Sequence, residues 1–312
     1  MSLYIDAPVM AVSRNLQGVL CVLLGMAMFV IQDVMMKSLL TQYPLWMLML
    51  SRGEMGVVIL VPLIAVLGGP HRLVTPLWPL HLARAALITL AFSLFYAVFP
   101  FMGLAEVSTI FFAAPLIIAV MAWAFLGEEI GPHRIFALLV GFAGVLVALN
   151  PTGAAFRPIA LVPLLCAVGY AAAQVLARKI GDRDSPLTMG LYTVGAMVVL
   201  VPLTGAVVSA VLPDIIETRH LRWDWYLPQG AGLAQIALVG VIGLVGLIFL
   251  SRAYQIANAG LVAPFDYAYL PMATAMAYLL WGEVPGLSTQ IGMSMIIAGG
   301  IYLGYRELRA AA

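Results

Sequence analysis

Asp33 and Lys37 stand one helical turn apart, just beyond an apolar run from Leu16 to Ile31. Residues four apart share a helix face. An ionisable side chain in an apolar medium costs roughly 2.5–3.5 kcal/mol on insertion scales unless it is paired or wet. Groups kept there balance one another, exchange protons or offer a counter-charge to a solute. Arg52, Arg84 and Glu106 stand in or at the edge of later apolar runs. The least regular run holds Pro264, Asp266, Tyr267, Tyr269 and Pro271. Its two prolines remove backbone donors, and the freed carbonyls need partners in protein or in a water-lined cavity. Asp266 is the best single candidate for a proton carrier or a counter-charge to solute. Tyr96, Tyr170, Tyr267, Tyr269 and Trp281 fall within or at the ends of apolar runs. A buried phenol needs a partner, and these rings suit stacking on a planar or cationic solute as well as ordinary packing or an interfacial belt. Gln174 suits a hydrogen bond between helices.

Such side chains need a scaffold, and composition says which. Hydrophobic residues make up 63% of the 312-residue chain and charged residues 9%, against about 25% charged in a typical soluble protein. A soluble domain cannot hide that much apolar surface, so the expected solvent is the bilayer. The net charge of +1 gives no argument for a nucleic-acid partner. Cys21 and Cys166 sit in apolar runs, and His71, His81, His133 and His220 fall in or beside expected loops without ligand spacing. Neither a disulfide framework nor a metal site is expected, and no cofactor.

Segments long enough to cross a bilayer fall at 16–40, 44–67, 78–101, 105–126, 133–149, 158–177, 187–211, 231–252, 259–281 and 287–305. The first lacks a clear small-x-small cleavage site, so it reads as a retained helix and not a leader. With the N-terminus inside, the inner segments carry Arg14, Arg72, Arg134, Arg178, Lys179, Arg183, Arg252, Arg306 and Arg309. The outer ones carry Arg157, Arg219 and Arg222. This bias puts both termini in the cytoplasm.

The chain also repeats itself. Leu126-Gly127-Glu128 returns as Trp281-Gly282-Glu283, 155 positions later, together with Ala113 as Ala268 and Gly144 as Gly299. Gln32 and Lys37 return as Gln174 and Lys179 at an offset of 142, which puts an insertion within Pro213 to Gln229. Residues 16–150 and 158–306 then form two copies of five spans each, and an odd number makes the second copy enter from the opposite face. The expected fold is an all-α integral membrane protein of ten transmembrane helices in two inverted five-helix repeats, an arrangement suited to alternating access.

Within that frame, Asp33 and Arg52 lie at similar depths on consecutive antiparallel helices, about 10 and 12 Å from their outer ends at 1.5 Å per residue. They are expected to pair, either as a structural lock or as a gate or substrate contact. Arg84, about 9 Å from the inner end of its helix, either snorkels to headgroups or serves the site. Glu106 is a helix-start carboxylate meeting the helix dipole or a protonatable group near the outer vestibule. Glu128 and Glu283 each precede a helix begun by Pro132 or Pro285 and read as structural.

These residues carry a family likeness. Asp33-x3-Lys37, Tyr43-Pro44, Arg52, Gly103-Leu104-Ala105-Glu106, Ala114-Pro115-Leu116, Gly127-Glu128 and Asn150-Pro151 in the first copy form the pattern, and Ala263-Pro264-Phe265 and Gly282-Glu283 extend it into the second. The chain resembles the drug/metabolite transporter superfamily, specifically proteins with two EamA domains. Its Asp-x3-Lys and Leu-Ala-Glu patterns look most like the branch of S-adenosylmethionine and riboflavin importers. It departs from a symmetric pattern at Val175, which stands opposite Asp33.

The resemblance implies a secondary transporter of a small organic metabolite in a bacterial inner membrane, proton-coupled or exchange-driven, as monomer or homodimer. An aromatic amino-acid or drug exporter of the same superfamily is the alternative. No G-x4-G-K-[ST] motif supports ATP-driven transport. From another class, an integral-membrane transferase would need a cluster of nucleophile, base or metal ligands near one headgroup layer. The loops supply none, so an enzyme is not expected.

Overall fold

In a bilayer the backbone must satisfy its own hydrogen bonds, which an apolar helix does within one segment. The computed structural model describes residues 7–69, 71–127, 131–150, 157–211, 216–224, 230–256 and 263–311. Among these residues every regular element is helical. The α-helices are α1 (Ala7–Leu39), α2 (Leu45–Leu67), α3 (Trp78–Ala97), α4 (Leu104–Phe111), α5 (Ala114–Leu126) and α6 (Pro132–Leu149). They continue as α7 (Leu161–Ile180), α8 (Pro186–Val211), α9 (Ala231–Ile256), α10 (Tyr269–Trp281) and α11 (Leu287–Ala311). Seven helical stretches, counting α4 and α5 as one, are long and apolar enough to cross a membrane, and Ile135–Leu149 is a shorter apolar helix. Large apolar side chains such as Val58, Phe125, Leu139, Val199 and Leu279 point outward from the bundle. Such an exterior fits a lipid solvent.

Several boundaries differ from the sequence expectation for local reasons. α1 is described from Ala7, and its candidate membrane-crossing part, Leu16–Leu39, matches the expected first span. The span expected at 105–126 is two helices. Pro115 has no amide hydrogen for the carbonyl of Phe111, so the chain resets between α4 and α5. In the described part of the matching span, a 3₁₀ stretch, Ala263–Ala268, leads into α-helix at Tyr269, with Pro271 in its first turn. α11 starts at Leu287, not Pro285, and runs on to Ala311. The segment expected to hold the insertion contains a 3₁₀ stretch, Ile216–Leu221; the rest of it lies largely outside the described residues.

The 155-residue offset reappears in the geometry. α5 and α10 each have 13 residues and start at Ala114 and Tyr269. Each ends at a glycine with positive φ, 69° at Gly127 and 66° at Gly282, a backbone that only glycine adopts without strain.

Between the halves, α1 packs on α9 and α3 on α7; α2 packs on α9 and α3 on α8; α1 packs on α10 and α5 on α7. The remaining large contacts are α2 with α8 and α6 with α11. This set of pairs maps onto itself when the two groups of helices are exchanged. α2 and α8 also share an internal proline, Pro62 and Pro202. α6 crosses α11 closely, where Gly292 lies against the Gly144 carbonyl and the Ala148 backbone. Between these pairs lies a core that draws on nearly every helix and includes Met36, Met47, Phe95, Tyr96, Ile110, Leu270 and Ala273.

Candidate functional site

The centre of the bundle is organised around one carboxylate. Asp33 is buried on α1, and protein hydroxyls hold both of its oxygens. Tyr96 Oη of α3 donates to Oδ1 at 2.8 Å, and Tyr269 Oη of α10 donates to Oδ2 at 2.5 Å. Tyr96 Oη in turn accepts from Gln32 Nε2 at 2.8 Å and from Arg52 Nη1 of α2 at 3.1 Å. Ser108 Oγ of α4 lies 3.4 Å from Tyr269 Oη. Gln32 fills room left by Gly243 of α9, where any β-carbon would collide with its amide oxygen. Helices from both halves of the chain thus meet at Asp33.

The expected Asp33–Arg52 pair is therefore indirect. Arg52 reaches the carboxylate through the Tyr96 phenol, and its guanidinium carbon lies 5.8 Å and 5.9 Å from the Phe92 and Tyr96 ring centres. A phenol between them lets cation and anion share one hydrogen-bonded chain while each keeps a different helix. Asp33 and Lys37 also part company. Lys37 forms an ion pair with Glu283, and its ammonium lies 4.8 Å from the centre of the Trp281 ring. Glu283 Oε2 also accepts from the Leu104 amide at 3.2 Å, where an anion complements the start of α4. The role expected for Glu283, at the start of the following helix, is thus replaced by one at α4. Glu128 lies outside the described residues.

A second polar group sits further along α3. Arg84, Ile88, Phe92 and Tyr96 are spaced four apart, which puts them on one face. Arg84 turns into the bundle instead of out to headgroups: Nη1 donates to Thr193 Oγ1 of α8 at 2.9 Å, and Nε is buried. Tyr170 of α7 lies near enough to Arg84 and Asp266 for both charges to act on its phenol. Gln174 stands beside the Tyr170 phenol, one turn away on its own helix. Asp266 is half-buried in the 3₁₀ stretch beside Tyr267, not at the Asp33 centre. Glu106 is half-buried in the first turn of α4, as a helix-start residue would be.

Rings join the two groups. Phe92 contacts Tyr96, Phe111 and Tyr170 at centroid distances of 6.2, 6.2 and 6.1 Å. Phe112 contacts Tyr267 and Tyr269 at 5.7 and 5.4 Å. The result is an aromatic wall between a carboxylate centre and an arginine, suited to a planar or cationic solute.

A polar cluster that the sequence reading missed ties the α2–α3 connection to the start of α8. Asp184 Oδ2 accepts from Thr75 Oγ1 at 2.6 Å and pairs with His81 Nε2 at 2.9 Å. Tyr192 stacks on His81 at 4.8 Å, and His71 Nδ1 lies 2.8 Å from Ser185 Oγ. Desolvation pushes the Asp184 carboxyl up. Hydrogen bonds from Thr75 and His81, with the charges of His81 and Arg72, outweigh it and hold the group below its ordinary value. A carboxyl lowered in the folded state contributes stability present above its unfolded value, about 3.9, and lost as pH falls through the folded one. Asp184→Asn is therefore expected to lower the melting temperature by a few degrees at pH 7, and the gap to the parent should close below about pH 4. Thermal unfolding across that range checks it; a gap that widens in acid rules the assignment out.

Comparison with known proteins completes the picture. The model of the EamA-like transporter family matches residues 16–150 and again 157–305. The riboflavin transporter of Rhizobium johnstonii is 28% identical over 229 residues, 73% of this chain and 71% of that protein. The S-adenosylmethionine uptake transporter of Rickettsia prowazekii is 26% identical over 300 residues, 96% of each. One solved crystal structure superimposes with a TM-score of 0.64 at 17% identity, covering 96% of this chain and 99% of that one. That likeness is of fold.

Proposed function

Because the chain belongs to the EamA-like transporter family, a family of multi-pass membrane transporters and not of enzymes, we propose that it is a secondary carrier of a small organic metabolite. In this reading ten spans form two inverted five-helix repeats with both termini in the cytoplasm, and the site between the repeats opens to one side of the inner membrane at a time. The exchange symmetry of the helix contacts supports the inverted arrangement.

The observation that carries the reading is the Asp33 centre. A buried carboxylate held by Tyr96 of one half and Tyr269 of the other makes the fit between the halves depend on one charge. Protonation or a solute group that alters that charge would bias the halves between two packings, which is how a ligand drives an equilibrium it binds unequally. The names of the relatives, together with the aromatic wall, point to a planar or nucleoside-like solute such as riboflavin or S-adenosylmethionine.

The test is uptake into proteoliposomes of radiolabelled S-adenosylmethionine, riboflavin and aromatic amino acids, with and without a pH gradient. Saturable uptake of at least one solute is expected. Asp266→Asn should abolish the part driven by the gradient and leave exchange partly intact. Gradient-driven uptake unchanged by that substitution would remove Asp266 as the coupling group and leave Asp33 as the group whose charge responds to the gradient. Absence of saturable uptake of all these solutes would sink the assignment to these solute classes.

A further inference from the structure

Arg84 is a cation inside the bundle with very little to hold it. Its guanidinium offers five N–H donors. Among the described residues one of them has a protein acceptor, Thr193 Oγ1 at 2.9 Å, while Nε is buried without any. Thr193 brings no charge, since its own hydroxyl proton goes to the Met189 carbonyl at 2.9 Å. Among the described residues no ion pair joins Arg84 to a carboxylate. An arginine kept only for structure would be expected to fill its fork with carboxylate or backbone carbonyl. Arg84 is half-buried and its Nε, fully buried, is left unfilled at a cost, and the natural complement of the planar fork is a carboxylate or phosphate taken two bonds at a time.

The surroundings say what else such a ligand would carry. Tyr170 lies beside Arg84, and its ring meets Phe92 at 6.1 Å and Phe111 at 5.4 Å. On α3 the next residues along the Arg84 face are Ile88, Phe92 and Tyr96. We propose that Arg84 anchors an oxyanion group, carboxylate or phosphate, of the carried solute, whose planar part lies against Tyr170, Phe92 and Phe111. The proposal rests on the carrier reading and narrows it: a neutral ring system without an oxyanion is then the poorer ligand. The Asp33 centre lies about 18 Å further along α3 at 1.5 Å per residue. Substitution at Arg84 therefore leaves that centre in place, and the two positions report on different steps.

Matched pairs of solutes test this in purified protein in lipid nanodiscs. Tryptophan is compared with tryptamine, S-adenosylmethionine with its decarboxylated form, and riboflavin 5′-phosphate with riboflavin, each titrated by thermal stabilisation. The oxyanion-bearing member of at least one pair should bind at least tenfold more tightly than its partner. Arg84→Gln should cost that member about 10- to 100-fold and bring the pair within about twofold, the scale of hydrogen bonds to a charged group. Arg84→Lys, which keeps the charge and loses the fork, should fall between. Melting of each variant without solute establishes that it is folded. Full discrimination retained by a folded Arg84→Gln overturns the proposal and leaves the carrier reading intact. If no solute stabilises the parent protein, these three classes are lost to the carrier reading, yet Arg84 is still decided by inorganic phosphate titrated against chloride at constant ionic strength. Saturable stabilisation by phosphate that Arg84→Gln removes supports the anchor, and its absence from the parent overturns it.

Discussion

Asp33→Asn is expected to cut solute uptake by about 100-fold while the protein still inserts and melts cooperatively. The carboxylate accepts from two phenols, Tyr96 and Tyr269. An amide of the same shape keeps one acceptor and turns a donor toward the other hydroxyl. Each hydrogen bond to a charged group contributes about 1.5–3 kcal/mol. Losing one, and with it the negative charge opposite Arg52, comes to roughly 3 kcal/mol, or about two orders of magnitude. The side chain keeps its volume, so the packing of Met36, Phe95 and Leu270 around it is spared. Uptake in proteoliposomes reads the first quantity and thermal unfolding the second. Uptake within a few-fold of the parent at normal reconstitution would show that Asp33 is a structural clasp with no part in moving solute.

Gly292→Val is expected to fail earlier, at assembly. A β-carbon on Gly292 would lie 2.4 Å from the Gly144 carbonyl oxygen and 2.9 Å from the Ala148 amide nitrogen. Both are backbone atoms and cannot swing aside, so α6 and α11 must separate. Overpacking a tight interface costs about 1–3 kcal/mol, and at roughly 2–4 °C per kcal/mol the melting temperature should fall by about 2–12 °C. Valine adds two methyl groups beyond that first carbon, so a low yield of monodisperse protein in detergent is expected as well. A variant with the parent's melting temperature would mean that the α6–α11 contact contributes little to stability.

What the sequence revealed depended on the kind of signal. The repeat was legible because Gly127 and Gly282 are fixed by backbone geometry, which few residues can satisfy. Irregularity near Pro264 and Pro271 was legible for the same reason, since a missing donor is written in the residue itself. Partners were harder. Asp33 and Arg52 were set at similar depth, but depth along an axis says nothing of what stands between two helices, and Tyr96 stands there. Arg84 looked close enough to the membrane surface to snorkel, a judgement of length that ignores direction; Thr193 draws it inward. Glu283 was read with the helix that follows it, while its carboxylate reaches 179 positions back to Leu104. The His81–Asp184 pair, 103 positions apart and at the ends of helices, carries no periodic mark, so spacing could not have found it.

Tyr96 has a consequence of another kind. Its single proton goes to Asp33, and it receives from Gln32 and Arg52, so every bond dipole along this chain points one way, from guanidinium to carboxylate. For a membrane protein that is an electrical property. The Tyr96 proton lies on the carboxylate side and its lone pairs face the donors, so the hydroxyl is oriented by both charges at once. In the packing described, the two charges thus form one oriented dipole at the centre of the bundle, and a change in the charge of Asp33 is felt at Arg52 through Tyr96.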